Sequence, residues 1–436
     1  MRILIISVFF PQENTIAALR PYSWAKYWSQ MGHEVTVLTT VKGKSVTDLK
    51  LDMSNFTLKE ISLPGFLEKF IFPSKADSIL DQSNLFSKTK SNLLKNYIKK
   101  MVYSPFKFIL NKLRKYGAFA GLRMPDKFDL WYFSAYNFAK KNNWDLVVSS
   151  YGPYVSHMVA YKLKKEKKCS KWIADYRDLW TMNHAFSAGV CPFNVLENYL
   201  EKKFNYSADI ITTVSEPLAQ ILREKYKLNY VRTIENGFDF DDVKSLSQER
   251  YWNDENIHIA YTGSVYEGKQ NPEPMFQAIF ELSHSIDAHL LNNFQLIFFG
   301  KIQPNIVELV KKYNIDKWVY FNDFISRNDI LKIQRDANAL LFLEFNGKEG
   351  VFSGKIFEYL ASGTQILSIG GINPNSYVSN FIRESKCGKV LSDNVELIKN
   401  ELKSLLNSKN KIKVDNSFAL QYSRKILAEK MLKLLD

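Results

Sequence analysis

Phe352-Ser353-Gly354-Lys355-Ile356-Phe357-Glu358-Tyr359-Leu360-Ala361-Ser362-Gly363, running on into Thr364-Gln365-Ile366-Leu367-Ser368-Ile369, is the stretch whose reading decides the fold. Its first part reads as a short helix, with Ser353 as N-cap and Gly363 just past the end. Gln365–Ile369 then reads as a short apolar strand. A helix delivering the chain into such a strand is the building unit of parallel sheets covered by helices. Working outward, the same alternation recurs. The second half offers strands at Ile257–Thr262, Gln295–Phe299, Val319–Asn322 and Ala339–Phe345, with helical stretches such as Pro274–Leu290 between them. The first half offers Arg2–Phe9, Glu34–Thr39, Asp145–Ser149, Lys171–Asp175 and Asp209–Val214. Two doubly wound α/β domains are expected, with the polar, acidic Phe240–Asn256 near the boundary.

The chain has 436 residues, 46% of them hydrophobic, enough for two or three cored domains and too apolar for disorder. Its longest apolar runs, such as Ile3 to Phe10, fall well short of the roughly 20 residues of a membrane-spanning helix. Ile3–Phe10 also lacks the flanks of a secretory signal, so a cytoplasmic protein is expected. Cys169, Cys191 and Cys387 fit no metal or redox spacing and are expected to be reduced.

The net charge of +14 is concentrated: Ile61–Arg123 holds 12 Lys/Arg against three acids. Within it, Leu93 to Val102 and Phe106 to Leu113 repeat apolar residues at helical spacing with lysines between them. Basic amphipathic helices of this kind either lie on an anionic membrane or present a solvated face of their own domain, and both readings stand. Nucleic acid is disfavoured, because no recognition motif accompanies the charge.

Ligands of open parallel sheets bind beyond the carboxyl ends of the strands. The residues least like core lie there: Pro11 to Arg20, Ser150 and Tyr151, Asp175-Tyr176-Arg177-Asp178, Gly263-Ser264 through Lys269, Gly300, Phe324, and Glu349 through Glu358. Lys355 stands in the first turn of its helix, where a cation opposes the helix dipole by about 0.3–1 kcal/mol unless an anion joins it. A diphosphate resolves that conflict. Glu358, on the same helix face, suits a ribose diol; a plain Lys-Glu surface pair is the alternative. His157 follows a first-half strand and reads as structural or as facing the ligand. No metal-ligand spacing, GxGxxG or P-loop is present in the sequence.

These residues resemble glycosyltransferase family 4, retaining enzymes of the GT-B fold that build bacterial surface polysaccharides. The carriers are ILIISVFFPQENTIAALRPYSWAKYWSQMGHEVTVLTT, WIADYRDLW, TTVSEPL, ENGFD, YTGSVYEGK and GKIFEYLASGTQIL. The resemblance implies two Rossmann-like domains facing a central cleft: residues 1–232 binding the acceptor and carrying the basic insert 61–123, and residues 233–415 binding a nucleotide sugar. Residues 416–436, with a last helix over Phe418–Leu435, would cross back to the first domain. It implies that Lys269 meets the donor diphosphate and Glu358 the ribose. Gly263, Ser264, Gly300, Phe324, Ser353, Gly354 and Lys355 would complete the donor side, and Arg20, Ser150, Tyr151, His157 and Glu349 the acceptor or sugar side. Lys269, Lys355, Arg177 and Asp178 would carry the chemistry.

The sequence departs from the family pattern in places. The first acid of the family's Glu-x7-Glu motif falls on Gly350, with Glu349 one residue early, and Ser264 stands where an arginine is common. The implied reaction moves a sugar from a nucleoside diphosphate, UDP by family habit, to a lipid-linked or oligosaccharide acceptor without an essential metal. An anionic membrane surface would be met through residues 61–123. A nucleotide-sugar epimerase of the same fold and a catalytically silent binding module are the alternatives.

Overall fold

The computed structural model describes residues 1–11, 16–41, 51–63, 116, 119, 121–183, 189–346, 349–371, 373–408 and 413–436. The basic helices expected over 93–113, the loop 12–15 and His184 lie outside the described residues. Contacts divide the chain into two units, 1–214 with 219–233 and 432–436, and 215–218 with 234–431.

The first unit is built on a parallel sheet of seven strands, ordered β3-β2-β1-β4-β5-β6-β7. These are β1 Arg2–Ile6, β2 Glu34–Thr40, β3 Thr57–Ile61, β4 Trp144–Ser150, β5 Cys169–Tyr176, β6 Ile210–Thr213 and β7 Val231–Thr233. The three central strands are buried on both faces, as the continuous runs Ile3–Ile6, Leu146–Val148 and Trp172–Ala174 require. Strand order reverses between β1 and β4, where Ile6 lies beside Ser149. Helices Ile16–Gln30, Trp131–Ala139, Val155–Lys165 and Phe193–Asn205 belong to this unit.

The second unit repeats the plan with six parallel strands, ordered β10-β9-β8-β11-β12-β13. They are β8 Ile257–Thr262, β9 Phe294–Phe299, β10 Val319–Asn322, β11 Ala339–Leu343, β12 Ile366–Ile369 and β13 Gly388–Ser392. Period-two alternation splits its core into two layers. Ile259, Leu296, Phe298 and Leu341 join helices Glu273–Ser283, Pro304–Lys312 and Val395–Ser408 on one face. Ala260, Ile297, Leu340 and Phe342 join helices Arg327–Asp336, Lys355–Ser362 and Tyr377–Ser385 on the other. Each fully buried Leu, Ile or Phe contributes roughly 1.5–3 kcal/mol.

The strands missing from the sequence reading, β3, β7 and β13, are sheet edges, and their burial is too partial for an apolar run to mark them. Other expectations shift at element ends. β1 stops at Ile6 and β11 at Leu343, because the following residues leave the sheet. The C-terminal stretch is a 3-10 turn Ser417–Tyr422 and a helix Arg424–Leu432 that runs into a 3-10 turn Lys433–Leu435, broken at Ser423, whose backbone is extended. That helix groups with the second unit through Met431, and Leu432–Asp436 group with the first.

Candidate active site

At the carboxyl end of β8 the chain turns at Gly263, whose φ of +116° only glycine adopts without strain. Its N–H donates to the Phe299 carbonyl at 2.7 Å. Gly300, ending β9 with φ +132°, sits so close that a Cβ would lie 2.9 Å from the Gly263 carbonyl carbon. The Lys355 amine occupies the other side of Gly263, where a Cβ would meet Nζ at 2.8 Å. Two bare glycine backbones and one lysine tip are thus in contact at one sheet end.

Lys355 is the first residue of helix Lys355–Ser362. The cap position is Gly354, one residue later than the expected Ser353, and the Ser353 hydroxyl instead accepts the Lys355 N–H at 3.3 Å. Gly363 closes the helix with φ +68°. The amine lies 3.9 Å from the centroid of the Tyr261 ring, and no carboxylate among the described residues is within ion-pair distance of it. Burial lowers its pKa to about 7, against the opposing pull of Glu358.

Glu358 is buried in a charge cluster that the sequence did not announce. Its Oε1 accepts from Arg327 at 2.9 Å, and Arg327 also donates to Asp242 at 2.9 and 3.1 Å. Burial alone would raise the Glu358 carboxyl, but Arg327 and then Arg424 outweigh it and hold it below the usual range. Arg424 is itself buried, and both burial and Arg327 depress its cationic form. The missed signal for Arg327 is the one that singled out Lys355. It is the first residue of a helix, behind the N-cap Ser326, and so also a cation set against the helix dipole.

Lys269 is half-buried in the turn after Gly268, and its carbonyl accepts the Asn346 N–H at 2.7 Å. The Ser264 carbonyl accepts from the Tyr261 hydroxyl at 2.9 Å, and Phe324 is 64% exposed beyond β10. Glu349 is exposed and accepts from Asn373 at 3.1 Å. Gly350 has φ +82°, and a Cβ there would lie 2.7 Å from Pro217. An acid at that position does not fit, which is the physical reason for the departure from the Glu-x7-Glu pattern.

Glu344, ending β11, was also missed. Its buried carboxylate accepts from the hydroxyls of Ser368, Ser376 and Ser379 at 2.7–2.9 Å. It lines a cavity of about 250 Å³ together with Phe345, Glu349, Gly350, Asn373 and Tyr377. A larger cavity of about 740 Å³ is lined by His258 and Gly363 at the opposite, amino ends of the strands. Volume does not coincide with the converging glycines and charges here.

In the first unit the expected residues are brought together more tightly. Arg20 donates to both oxygens of Asp175, at 2.7 and 3.1 Å, and Asp175 also accepts from Thr212 at 2.8 Å and Ser150 at 3.4 Å. Arg20 is 3% exposed and Asp175 fully buried. His157 is fully buried with Nδ1 2.7 Å from the Ser149 hydroxyl, and burial lowers its pKa to about 3. The Tyr151 hydroxyl donates to the Leu122 carbonyl at 2.6 Å. Arg177 and Asp178 pair with each other at 2.8 Å and keep some exposure. Trp180 is buried, stacked on Tyr154.

Among the described residues no group of His, Cys, Asp and Glu is placed to hold a metal, and no helix is long and apolar enough to cross a membrane.

The family model Glycosyltransferase Family 4 matches residues 111–242. No curated protein matches the chain. Three solved structures show the likeness of fold. S. aureus TarM, as a mutant in complex with fondaparinux, α-GlcNAc-glycerol and UDP, is 9% identical with TM-score 0.60, covering 100% of both chains. The E. coli trehalose-6-phosphate protein bound with UDP-2-fluoro glucose is 11% identical with TM-score 0.55, covering 99% of this chain and 98% of that one. A Listeria monocytogenes protein proposed to be a UDP-N-acetylglucosamine 2-epimerase is 12% identical with TM-score 0.52, covering 100% and 96%. The fold is GT-B, and the resemblance to glycosyltransferase family 4 stands on the matched residues.

Proposed function

We propose that the chain is a retaining glycosyltransferase that moves a sugar from a UDP-sugar to a lipid-linked or oligosaccharide acceptor in surface polysaccharide synthesis. The observation that carries the donor side is the Lys355 amine, set against the Gly263 backbone at a helix start and over the Tyr261 ring. A desolvated amine at a helix N-terminus is arranged for an anion it does not yet hold. The family match over 111–242 and fold relatives solved with UDP or a UDP-sugar support the reading.

On this proposal the chemistry follows from charge. Breaking the anomeric bond leaves an anionic nucleoside diphosphate and an oxocarbenium-like sugar, so the residues serve chiefly to stabilise negative charge on the departing phosphates. Lys355, Lys269 and the backbone N–H groups of Ser353 and Gly354 take that role. Gly263 and Gly300 let the phosphates approach the main chain. Glu358, kept ionised by Arg327, accepts from the ribose, and the exposed Phe324 ring offers the base a stacking surface. Arg177 and Asp178 are left for the acceptor, since Arg20 and His157 are enclosed. The diphosphate departs without an essential metal, and attack comes from the face it leaves, which retains configuration.

Incubation with UDP-sugars, a lipid-linked or oligosaccharide acceptor and a chelator tests this reading. Product of retained anomeric configuration is expected, and an inverted linkage refutes the retaining step. A second reading, epimerisation, is favoured by the Listeria relative. It would release nucleotide and altered sugar with no acceptor present. In both cases Lys355→Ala lowers turnover by about 10²–10³, whereas a silent binding module has none to lose.

A further inference from the structure

Helix Phe193–Asn205 of the first unit is built inside out. Its acids, Glu197 and Glu201, are both fully buried. Glu197 accepts from Arg123 at 2.9 Å and from the Met124 N–H at 2.7 Å, while Glu201 takes the Thr181 and Tyr226 hydroxyls and the Lys225 amine. Beside the polar Asn198 and Lys202, the helix turns large apolar and aromatic side chains outward: Val195 is 66% exposed, Leu196 42%, Tyr199 57% and, just past the end, Tyr206 54%. Val195 and Leu196 lie four and three residues before Tyr199, and Tyr206 lies seven, two turns, beyond it, so they fall on one side of the helix.

The cations on that side are Lys202 and Lys203. Lys202 lies 5.9 Å from the ring of Tyr206, and Lys203 lies 5.2 and 5.6 Å from those of Tyr199 and Tyr161. From Cys191 to Tyr206 the only acids are the two that point inward. The stripe therefore joins exposed aliphatic side chains, tyrosines and lysines with no negative charge among them. Tyrosine prefers a boundary that is apolar at one end and wet at the other, and lysine reaches from such a boundary to anionic headgroups.

We infer that the outward stripe of helix Phe193–Asn205 is a docking surface for an anionic lipid bilayer. The inference does not rest on the transferase reading. It concerns a helix outside the basic insert 61–123, although Arg123, the last residue of that insert, is fastened to the inner side of this helix through Glu197.

The test is sedimentation of the full-length protein with phosphatidylcholine vesicles, with and without phosphatidylglycerol, at physiological salt. Wild type is expected to bind the phosphatidylglycerol vesicles alone. V195D/L196D should weaken that binding about tenfold or more, and K202E/K203E by a similar factor with loss of the salt dependence. Both variants change only outward residues, so melting temperatures should match wild type and show that the fold survives. The inference is overturned if wild type stays with the supernatant, or if V195D/L196D binds as wild type does. A concentration-dependent dimer that ignores lipid and is lost in V195D/L196D also overturns it, in favour of a second copy of the chain.

Discussion

Two buried charge clusters stand at the carboxyl ends of the two sheets, and they are finished differently. In the first unit Asp175 takes both arms of Arg20 and two hydroxyls, so the charges consume one another. In the second, Arg327 neutralises Glu358 and Asp242, but Lys355 is left against an aromatic ring and a glycine. A closed pair supports the fold, and a cation stripped of water without a carboxylate has its affinity in reserve for a ligand. The difference separates a closed cluster from an open one at positions the sequence alone treats alike, and on the proposed function the open one is the binding site.

The largest expected effect comes from breaking the closed cluster. Asp175→Ala removes the buried carboxylate that accepts two hydrogen bonds from Arg20 and should cost about 3–5 kcal/mol of stability. Chemical denaturation reads this directly. If the loss stays near 1 kcal/mol, Arg20 has found water or another acceptor and the cluster is not closed.

Breaking the open cluster should spare the fold and remove the chemistry. Lys355→Ala is expected to lower turnover of a UDP-sugar by about 10²–10³ with little change in melting temperature. A variant that turns over normally would show that the amine never meets the diphosphate. The neighbouring Gly350→Glu should not supply the family's first acid. With φ +82° and Pro217 in the way, it is expected to destabilise by about 1–3 kcal/mol and leave donor affinity unimproved.

The contrast also shows what was legible in the sequence. The central strand Ile257–Thr262, buried throughout, matches to the residue, because buried parallel strands write themselves as apolar runs; the edge strand Val319–Asn322 matches as well, although only Val319 of it is buried. Lys355 was visible because a cation at a helix start, next to glycines, conflicts with local preference, and Glu358 because it shares that helix face. Arg327 carried the same conflict, but its neighbours Ser326, Asn328 and Asp329 read as an ordinary cap. Its partner Asp242 is 85 residues away, and only the fold joins them. Arg20 and Asp175, 155 residues apart, were each visible, yet nothing local says that they cancel. Glu344 was hidden for a simpler reason: an acid ending an apolar strand looks like an exposed residue, whereas its partners are serines from β12 and a later helix.

A sharper probe of the open cluster is the support behind it. Arg327→Ala removes the cation that holds the Glu358 carboxyl low, so burial then dominates and its pKa rises. A carboxylate with a depressed pKa contributes its stabilisation above the unfolded value and loses it as pH falls through the folded one. The acid limb of UDP-sugar binding should therefore move to higher pH in Arg327→Ala, with affinity reduced about tenfold at neutral pH. An acid limb that does not move, measured calorimetrically, would detach Glu358 from the donor.

The smallest effect is the most telling, because it has the opposite sign in the two clusters. Lys355 titrates at about 7 in the folded chain and near its ordinary 10.5 when unfolded. Between those values the unfolded chain binds a proton that the folded chain refuses, so wild-type stability rises with pH across that window. Below about 7 both states are protonated and the whole cost of the buried ammonium is present. Lys355→Met should accordingly stabilise the ligand-free protein, by on the order of 1 kcal/mol at pH 6, with the advantage shrinking as pH climbs toward 9. Arg20→Met should destabilise at every pH in that range, since it strips the buried Asp175 of its partner. Melting curves of both variants across the range decide the matter. A Lys355→Met protein less stable than wild type at pH 6 would mean that the amine already has a partner in the free enzyme.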